Sequence, residues 1–127
     1  MERIQDIDLH NNQISGLIPK QVNHLYELQT LNLGNNNMSG TIPDLSNCKQ
    51  LKSLHLEHNR FFGDFPFTLA LQASLTDLYM NNNHFRGTLP AEIESIRGIE
   101  RLRLEFNKIG GSIPTRMFAK IDRKSVV

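Results

Sequence analysis

Hydrophobic and polar positions along this chain repeat in five nearly identical phrases. Aligned on the apolar residue that opens each phrase, Ile4, Leu28, Leu51, Leu75 and Ile99, the steps are 24, 23, 24 and 24 residues. Two more apolar positions follow at alternate spacing: Ile7 and Leu9, Leu31 and Leu33, Leu54 and Leu56, Leu78 and Met80, Leu102 and Leu104. An asparagine comes next, at Asn12, Asn36, Asn59, Asn83 and Asn107, then an apolar residue at Ile14, Met38, Phe61, Phe85 and Ile109. A glycine follows, at Gly16, Gly40, Gly63, Gly87 and Gly111. Each phrase closes on an apolar residue and proline: Ile18-Pro19, Ile42-Pro43, Phe65-Pro66, Leu89-Pro90 and Ile113-Pro114. Every proline of the chain falls in this slot.

Self-similarity at a fixed period of this length is the signature of a repeat architecture. Alternation over the paired apolar positions predicts short strands near residues 6–10, 30–34, 53–57, 77–81 and 101–105, with the leucines inward. Strands of successive units then pair in parallel, about 4.8 Å apart. One unit cannot close a core by itself. Its apolar side chains contribute roughly 1.5–3 kcal/mol each on burial, while ordering its backbone costs roughly 1–2 kcal/mol per residue. Only stacking on neighbours covers both faces of a unit.

The polar run Asn35-Asn36-Asn37 directly after a strand fits this picture. Asn36 sits where the chain leaves the sheet, and its amide carries two donors and an acceptor. The five aligned asparagines are expected to form an internal ladder that satisfies backbone groups of their own and the adjacent rung. Asn35 and Asn37 are expected to face solvent. Beyond the ladder, Gly40 permits a tight bend, Thr41 and Ile42 run extended, and Pro43 ends the segment. The return segments carry further apolar anchors at Val22, Leu25, Leu45, Cys48, Leu69, Ile93 and Ile96 and are short enough to predict 3₁₀ turns.

The pattern LxxLxLxxNxLSGxIP resembles the plant-type leucine-rich repeat family, over residues 4–114. The resemblance implies an α/β repeat solenoid. In it a right-handed leucine-rich repeat superhelix carries a parallel β-sheet on its concave face and short 3₁₀ or irregular segments on its convex face. The repeats divide as 4–27, 28–50, 51–74, 75–98 and 99–114, with 115–127 as a partial C-terminal lid and basic tail. That lid would use Met117, Phe118 and Ile121. The family's usual work, often in receptor ectodomains, is to bind proteins, peptides or small ligands on a curved face.

Composition narrows the function classes. A net charge of +1 over 127 residues points to no nucleic acid and no anionic membrane surface. No apolar run is long enough to insert directly into a bilayer. Cys48 is the only cysteine, so no internal disulfide forms, and its slot is that of a small core hydrophobe. No nucleophile elbow, phosphate loop or cofactor fingerprint is present, so the expectation is a non-catalytic protein without cofactor or metal. His55, Glu57 and His58, with His10 two rungs away, lack the spacing of zinc ligands and read as solvated surface groups. Asp6 and Asp8 share a face with no partner chemistry for acid–base work. Asn37-Met38-Ser39 is a glycosylation sequon whose relevance depends on secretion. Ser125-Val126-Val127 reads as a disordered tail.

The outward strand positions form the candidate binding surface. The central row is Asp8, Asn32, His55, Tyr79 and Arg103; the flanking rows are Asp6, Thr30, Ser53, Asp77, Arg101 and His10, Gly34, Glu57, Asn81, Glu105. None of these is aliphatic, and tyrosine and arginine are types that interfaces favour. Acids at one end and arginines at the other form a gradient that would orient a polar partner. Five strands of about 16 Å, about 4.8 Å apart, present roughly 400 Å², half of the roughly 800 Å² a standard interface needs per partner. A second, lateral patch is expected from Phe62 and Phe67, surplus to the repeat core, with Arg86 one rung away within cation–π reach. Two readings follow: a protein- or peptide-binding module, intracellular if Met1 is the native start, or a fragment of an extracellular receptor ectodomain whose signalling part lies elsewhere. The apolar first rung, uncovered by residues 1–3, is expected to promote self-association.

Overall fold

The computed structural model describes residues 3–96 and 98–111. The proposed lid and basic tail over 115–127, together with Met1 and Glu2, lie outside them. Five strands, β1 (Asp6–Asp8), β3 (Thr30–Asn32), β5 (Ser53–His55), β7 (Asp77–Tyr79) and β9 (Arg101–Arg103), form one parallel sheet in sequence order. Between them fall β2 (Ser15–Gly16), β4 (Asn37–Gly40), β6 (Arg60–Asp64), β8 (His84–Thr88) and β10 (Lys108–Gly110), which form a second five-stranded parallel sheet. Short 3₁₀ segments at Lys20–His24, Phe67–Leu71 and Ala91–Ser95 complete the turn of the solenoid. None of the described helices is long and apolar enough to cross a membrane.

The first sheet follows the alternation of its leucines. Leu31, Leu54, Leu78 and Leu102 point into the core, and Leu33, Leu56, Met80 and Leu104 form the next column behind them. The assigned strands are two residues shorter than expected, yet the ladder runs on. Leu33 N–H donates to His55 O at 2.8 Å and Asn35 N–H to Glu57 O at 2.9 Å. The regular conformation ends because the residue before each ladder asparagine turns left-handed: Asn11, Asn35, His58, Asn82 and Phe106 have φ between 54° and 59°.

The strands of the second sheet begin before the glycine, which the expected path did not include: β4 ends on Gly40 and β8 runs through Gly87 to Thr88. Met38, Phe61, Phe85 and Ile109 point inward from it, and Phe61 and Phe85 stack with centroids 6.5 Å apart. The glycine slot is needed for backbone reasons at Gly40, whose φ of +88° is left-handed and whose Cβ would collide with Leu17 of the preceding rung.

The two sheets differ in register. On the first, equivalent repeat positions face each other, as in Asp6 opposite Thr30 and Asp77 opposite Arg101. On the second, each strand is displaced by two residues: Ser15 faces Asn37, Ser39 faces Arg60, Phe62 faces His84 and Lys108 faces Arg86. Two residues amount to about 7 Å of slip per rung.

Two return segments also differ from the repeat pattern. The second repeat is the one with 23 residues, and after Pro43 it forms turns instead of a 3₁₀ segment. Ser46 N–H is taken by Asp44 Oδ1 at 2.9 Å. In the third, Gln72 occupies the slot of Leu25, Cys48 and Ile96. It is buried, and its Nε2 donates to Leu45 O one rung back at 2.7 Å. Cys48 is fully buried with its thiol donating to Val22 O at 3.3 Å. Burial, helped by the charge of Asp44, pushes that thiol's pKa up, away from the reactive thiolate.

Candidate functional site

The outward side chains of β1, β3, β5, β7 and β9 lie on one face, held by the ladder beneath them. Asn36, Asn59, Asn83 and Asn107 each reach back one rung. Asn59 Nδ2 donates to Leu33 O at 2.9 Å and its Oδ1 accepts Met38 N–H at 2.9 Å. Asn83 does the same with Leu56 O and Phe61 N–H, at 2.9 and 3.0 Å. Asn59 and Asn83 are buried, Asn36 and Asn107 partly so. Asn12 is exposed and bonds only within its own rung, to Leu9 O and His10 O, because none of the described residues lies behind it.

Three central-row side chains touch across consecutive rungs. The rings of His55 and Tyr79 lie with centroids 4.5 Å apart, and the Arg103 guanidinium sits 6.0 Å from the Tyr79 ring centre. His55 Nε2 contacts Ser53 Oγ at 2.8 Å, and its Nδ1 lies 3.4 Å from Glu57 Oε2. Arg103 Nε donates to Glu105 Oε2 at 2.6 Å, and its Nη2 to the same oxygen. Asn32 Oδ1 accepts Gly34 N–H at 3.1 Å. At the first rung the ring and backbone N–H of His10 bond Asp8 and hold its carboxyl below the usual carboxylate range.

These pairs temper the expected charge gradient. Arg101 donates to Asp77 at 3.2 Å and Arg103 is engaged by Glu105, so both guanidiniums are tied to acids of the same face. These bonds hold both arginines above their ordinary pKa. Over the fifteen outward positions, five carboxylates stand against two guanidiniums, a net of three negative charges with histidines neutral. The whole chain is +1, so negative charge is concentrated on this face.

In the lateral patch one expected contact differs. Phe62 and Phe67 are both half exposed. The two-residue slip of the second sheet sets Phe62 opposite His84, while Arg86 lies opposite Asp64 and Lys108. Among the described residues the cation–π pair is Arg103 over Tyr79, so the contact expected between Phe62 and Arg86 is not formed. His58 is exposed at a left-handed position, and among the described residues no three His, Cys, Asp or Glu side chains converge on a metal position.

Sequence reasoning missed Gln72, since one glutamine in an apolar slot carries no periodic signal. It also missed the slip of the second sheet, which depends on how neighbouring rungs settle.

One leucine-rich repeat family model matches residues 2–61, and a second matches residues 74–96. This chain belongs to the leucine-rich repeat family. No curated protein sequence matches it. The leucine-rich repeat solenoid aligns with plant receptor structures. It matches the PEPR1–AtPEP1 crystal structure with a TM-score of 0.88 and 31% identity, over 94% of this chain and 18% of that one. It matches the BIR3–SERK2 complex from Arabidopsis thaliana with a TM-score of 0.89 and 28% identity, over 98% of this chain and 66% of that one. The Arabidopsis receptor kinase HAESA ectodomain, solved with an N-terminally extended IDA peptide hormone, matches with a TM-score of 0.89 and 28% identity, over 95% of this chain and 21% of that one. This leucine-rich repeat chain thus spans about a fifth of the length of the PEPR1 and HAESA chains.

Proposed function

We propose that this chain is a non-catalytic protein- or peptide-binding module that engages its partner on the concave strand face. The observation that carries this reading is the column His55, Tyr79 and Arg103. These side chains touch across three rungs and are held in place by Ser53, Glu57 and Glu105. Groups fixed before binding lose little entropy on contact, and a tyrosine flanked by arginine is the composition of an interface centre. Asp6, Asp8, Asn32, Asp77 and Arg101 surround that column. The partner is a polypeptide, with no role for nucleic acid or direct membrane insertion. The face is small, which favours an extended segment over a folded domain.

The test is selection of random decapeptides displayed on phage against the purified chain. Tyr79→Ala combined with Arg103→Ala is expected to weaken the selected peptides about tenfold or more. Phe62→Ala, on the lateral face, is expected to leave them unchanged. Equal binding to the concave-face variant and the wild type would reject this reading.

A second reading treats these five rungs as one stretch of a longer receptor ectodomain. It is supported by the PEPR1 and HAESA chains, of which this chain spans about a fifth. The mass of the endogenous protein decides between the two, and with it the compartment.

A further inference from the structure

The concave face has three acceptor groups on consecutive rungs that receive no hydrogen bond from any described residue. They are Glu57 Oε1, Asn81 Oδ1 and Glu105 Oε1, and all three atoms are buried. They belong to one row, along the edge where the strands turn toward the ladder. The two carboxylates are held alike. Each gives its other oxygen, Oε2, to a side chain two residues back on its own strand: His55 for Glu57, Arg103 for Glu105. That leaves Oε1 of each unmatched. Asn81, between them, is only 4% exposed, and its Nδ2 is committed to Asn82 Oδ1 at 2.9 Å, so its unmatched group is an acceptor too. Gly34, one rung before Glu57, leaves the space that the Glu57 carboxylate occupies. A Cβ at Gly34 would lie 2.6 Å from Glu57 Oε1.

Buried acceptors without donors are uncommon in native proteins and call for a partner. A row made only of acceptors, on a face with three net negative charges, selects for donors that carry positive charge. Among the described residues no three His, Cys, Asp or Glu side chains converge as metal ligands would. Lysine and arginine carry donors only, with no acceptor to repel the row. Geometry also sets a spacing. Glu57 and Glu105 are two rungs apart, about 9.6 Å at sheet spacing. In a polyproline II segment, residues three apart lie on the same side and about 9.3 Å from each other.

Resting on the concave-face reading above, we propose that the partner is an extended basic polypeptide segment. Two of its cationic side chains, three residues apart, dock on the Glu57–Asn81–Glu105 row, where the partly exposed Glu57 and Glu105 side chains turn to present Oε1. The arginines of the face then act chiefly within it, as clamps on Asp77 and Glu105, and not as the receptors of an anionic partner.

The experiment titrates the folded chain with three fluorescent decapeptide pools, randomised except for a fixed Arg-X-X-Arg, Ser-X-X-Ser or Glu-X-X-Glu core, read by anisotropy. The arginine pool is expected to bind about tenfold tighter than the serine pool, and to lose that advantage in Glu57→Gln/Glu105→Gln. Those isosteric variants keep an acceptor for His55 and Arg103, and circular dichroism checks their fold. Asn81→Leu removes the middle acceptor by an independent change and is expected to weaken the arginine pool as well. If the serine or glutamate pool binds as tightly as the arginine pool, the basic-segment inference is overturned. Loss of that binding in Tyr79→Ala would then leave the concave-face reading standing. If no pool binds, both are overturned. If free arginine amide binds as tightly as the arginine pool, the occupant is a small cation and the polypeptide inference fails.

Discussion

The side-chain oxygen of Asn59 accepts the backbone N–H of Met38, one rung back, at 2.9 Å. The same amide donates to Leu33 O of that rung, so one side chain closes the backbone of two repeats. Asn59→Ala leaves these buried groups unpaired and is expected to cost about 1–3 kcal/mol in urea denaturation. Asn37→Ala, at an exposed position beside the ladder, is expected to cost under about 0.5 kcal/mol. Asn12, which bonds only its own rung at an exposed site, falls between them. Equal losses at Asn59 and Asn37 would contradict the ladder.

Phe106 stands at the left-handed position before its ladder asparagine, with φ of 59° and 75% of its surface exposed. The equivalent slot holds asparagine at Asn11, Asn35 and Asn82, a residue that tolerates this conformation. Phe106→Asn is therefore expected to stabilise the chain by about 0.5–1 kcal/mol. The same argument applies in reverse at Asn35. Asn35→Ala is expected to cost about 1 kcal/mol although its side chain is exposed, since alanine is strained there. An unchanged or lower denaturation midpoint for Phe106→Asn would count against this account.

Gln72 joins the third rung to the second through Leu45 O. Gln72→Ala removes that donor from a buried carbonyl and opens a void. It is expected to lower stability by about 1–3 kcal/mol. Ser74→Ala, whose hydroxyl donates to Lys49 O and Leu51 O nearer the surface, is expected to cost less. Thermal unfolding of the two variants side by side is the check.

The first rung keeps apolar surface open. Leu9 is 43% and Leu17 66% exposed, and with Ile7, Ile14, Val22 and Leu33 they line a groove of ≈ 280 Å³. The strands β1 and β2 are also edge strands of their sheets, and such edges invite pairing. The isolated 127-residue chain is expected to associate through this rung. A polar capping repeat fused ahead of Glu2 is expected to abolish that association. Light scattering over a dilution series measures it, and a stable monomer at high concentration for the uncapped chain would end the idea.

The period and the inward residues were legible in the sequence by itself. An apolar side chain every second residue can face only one way in a strand, and five copies of that constraint leave one stacking arrangement. The ladder asparagines were legible for a related reason, because only a side chain with donors and an acceptor can serve the turn between two rungs. The tertiary structure decided what lies between neighbours. The second sheet slips by two residues per rung while the first does not, and so Phe62 meets His84 instead of Arg86. Slip of this kind comes from how whole rungs settle on one another, and no pattern within one repeat encodes it. The electrostatics of the concave face were decided in the same way. Arg101 and Arg103 are positive in the sequence, but Asp77 and Glu105 already hold them. The row of unmatched acceptors left beside them exists only because three rungs align their outward side chains.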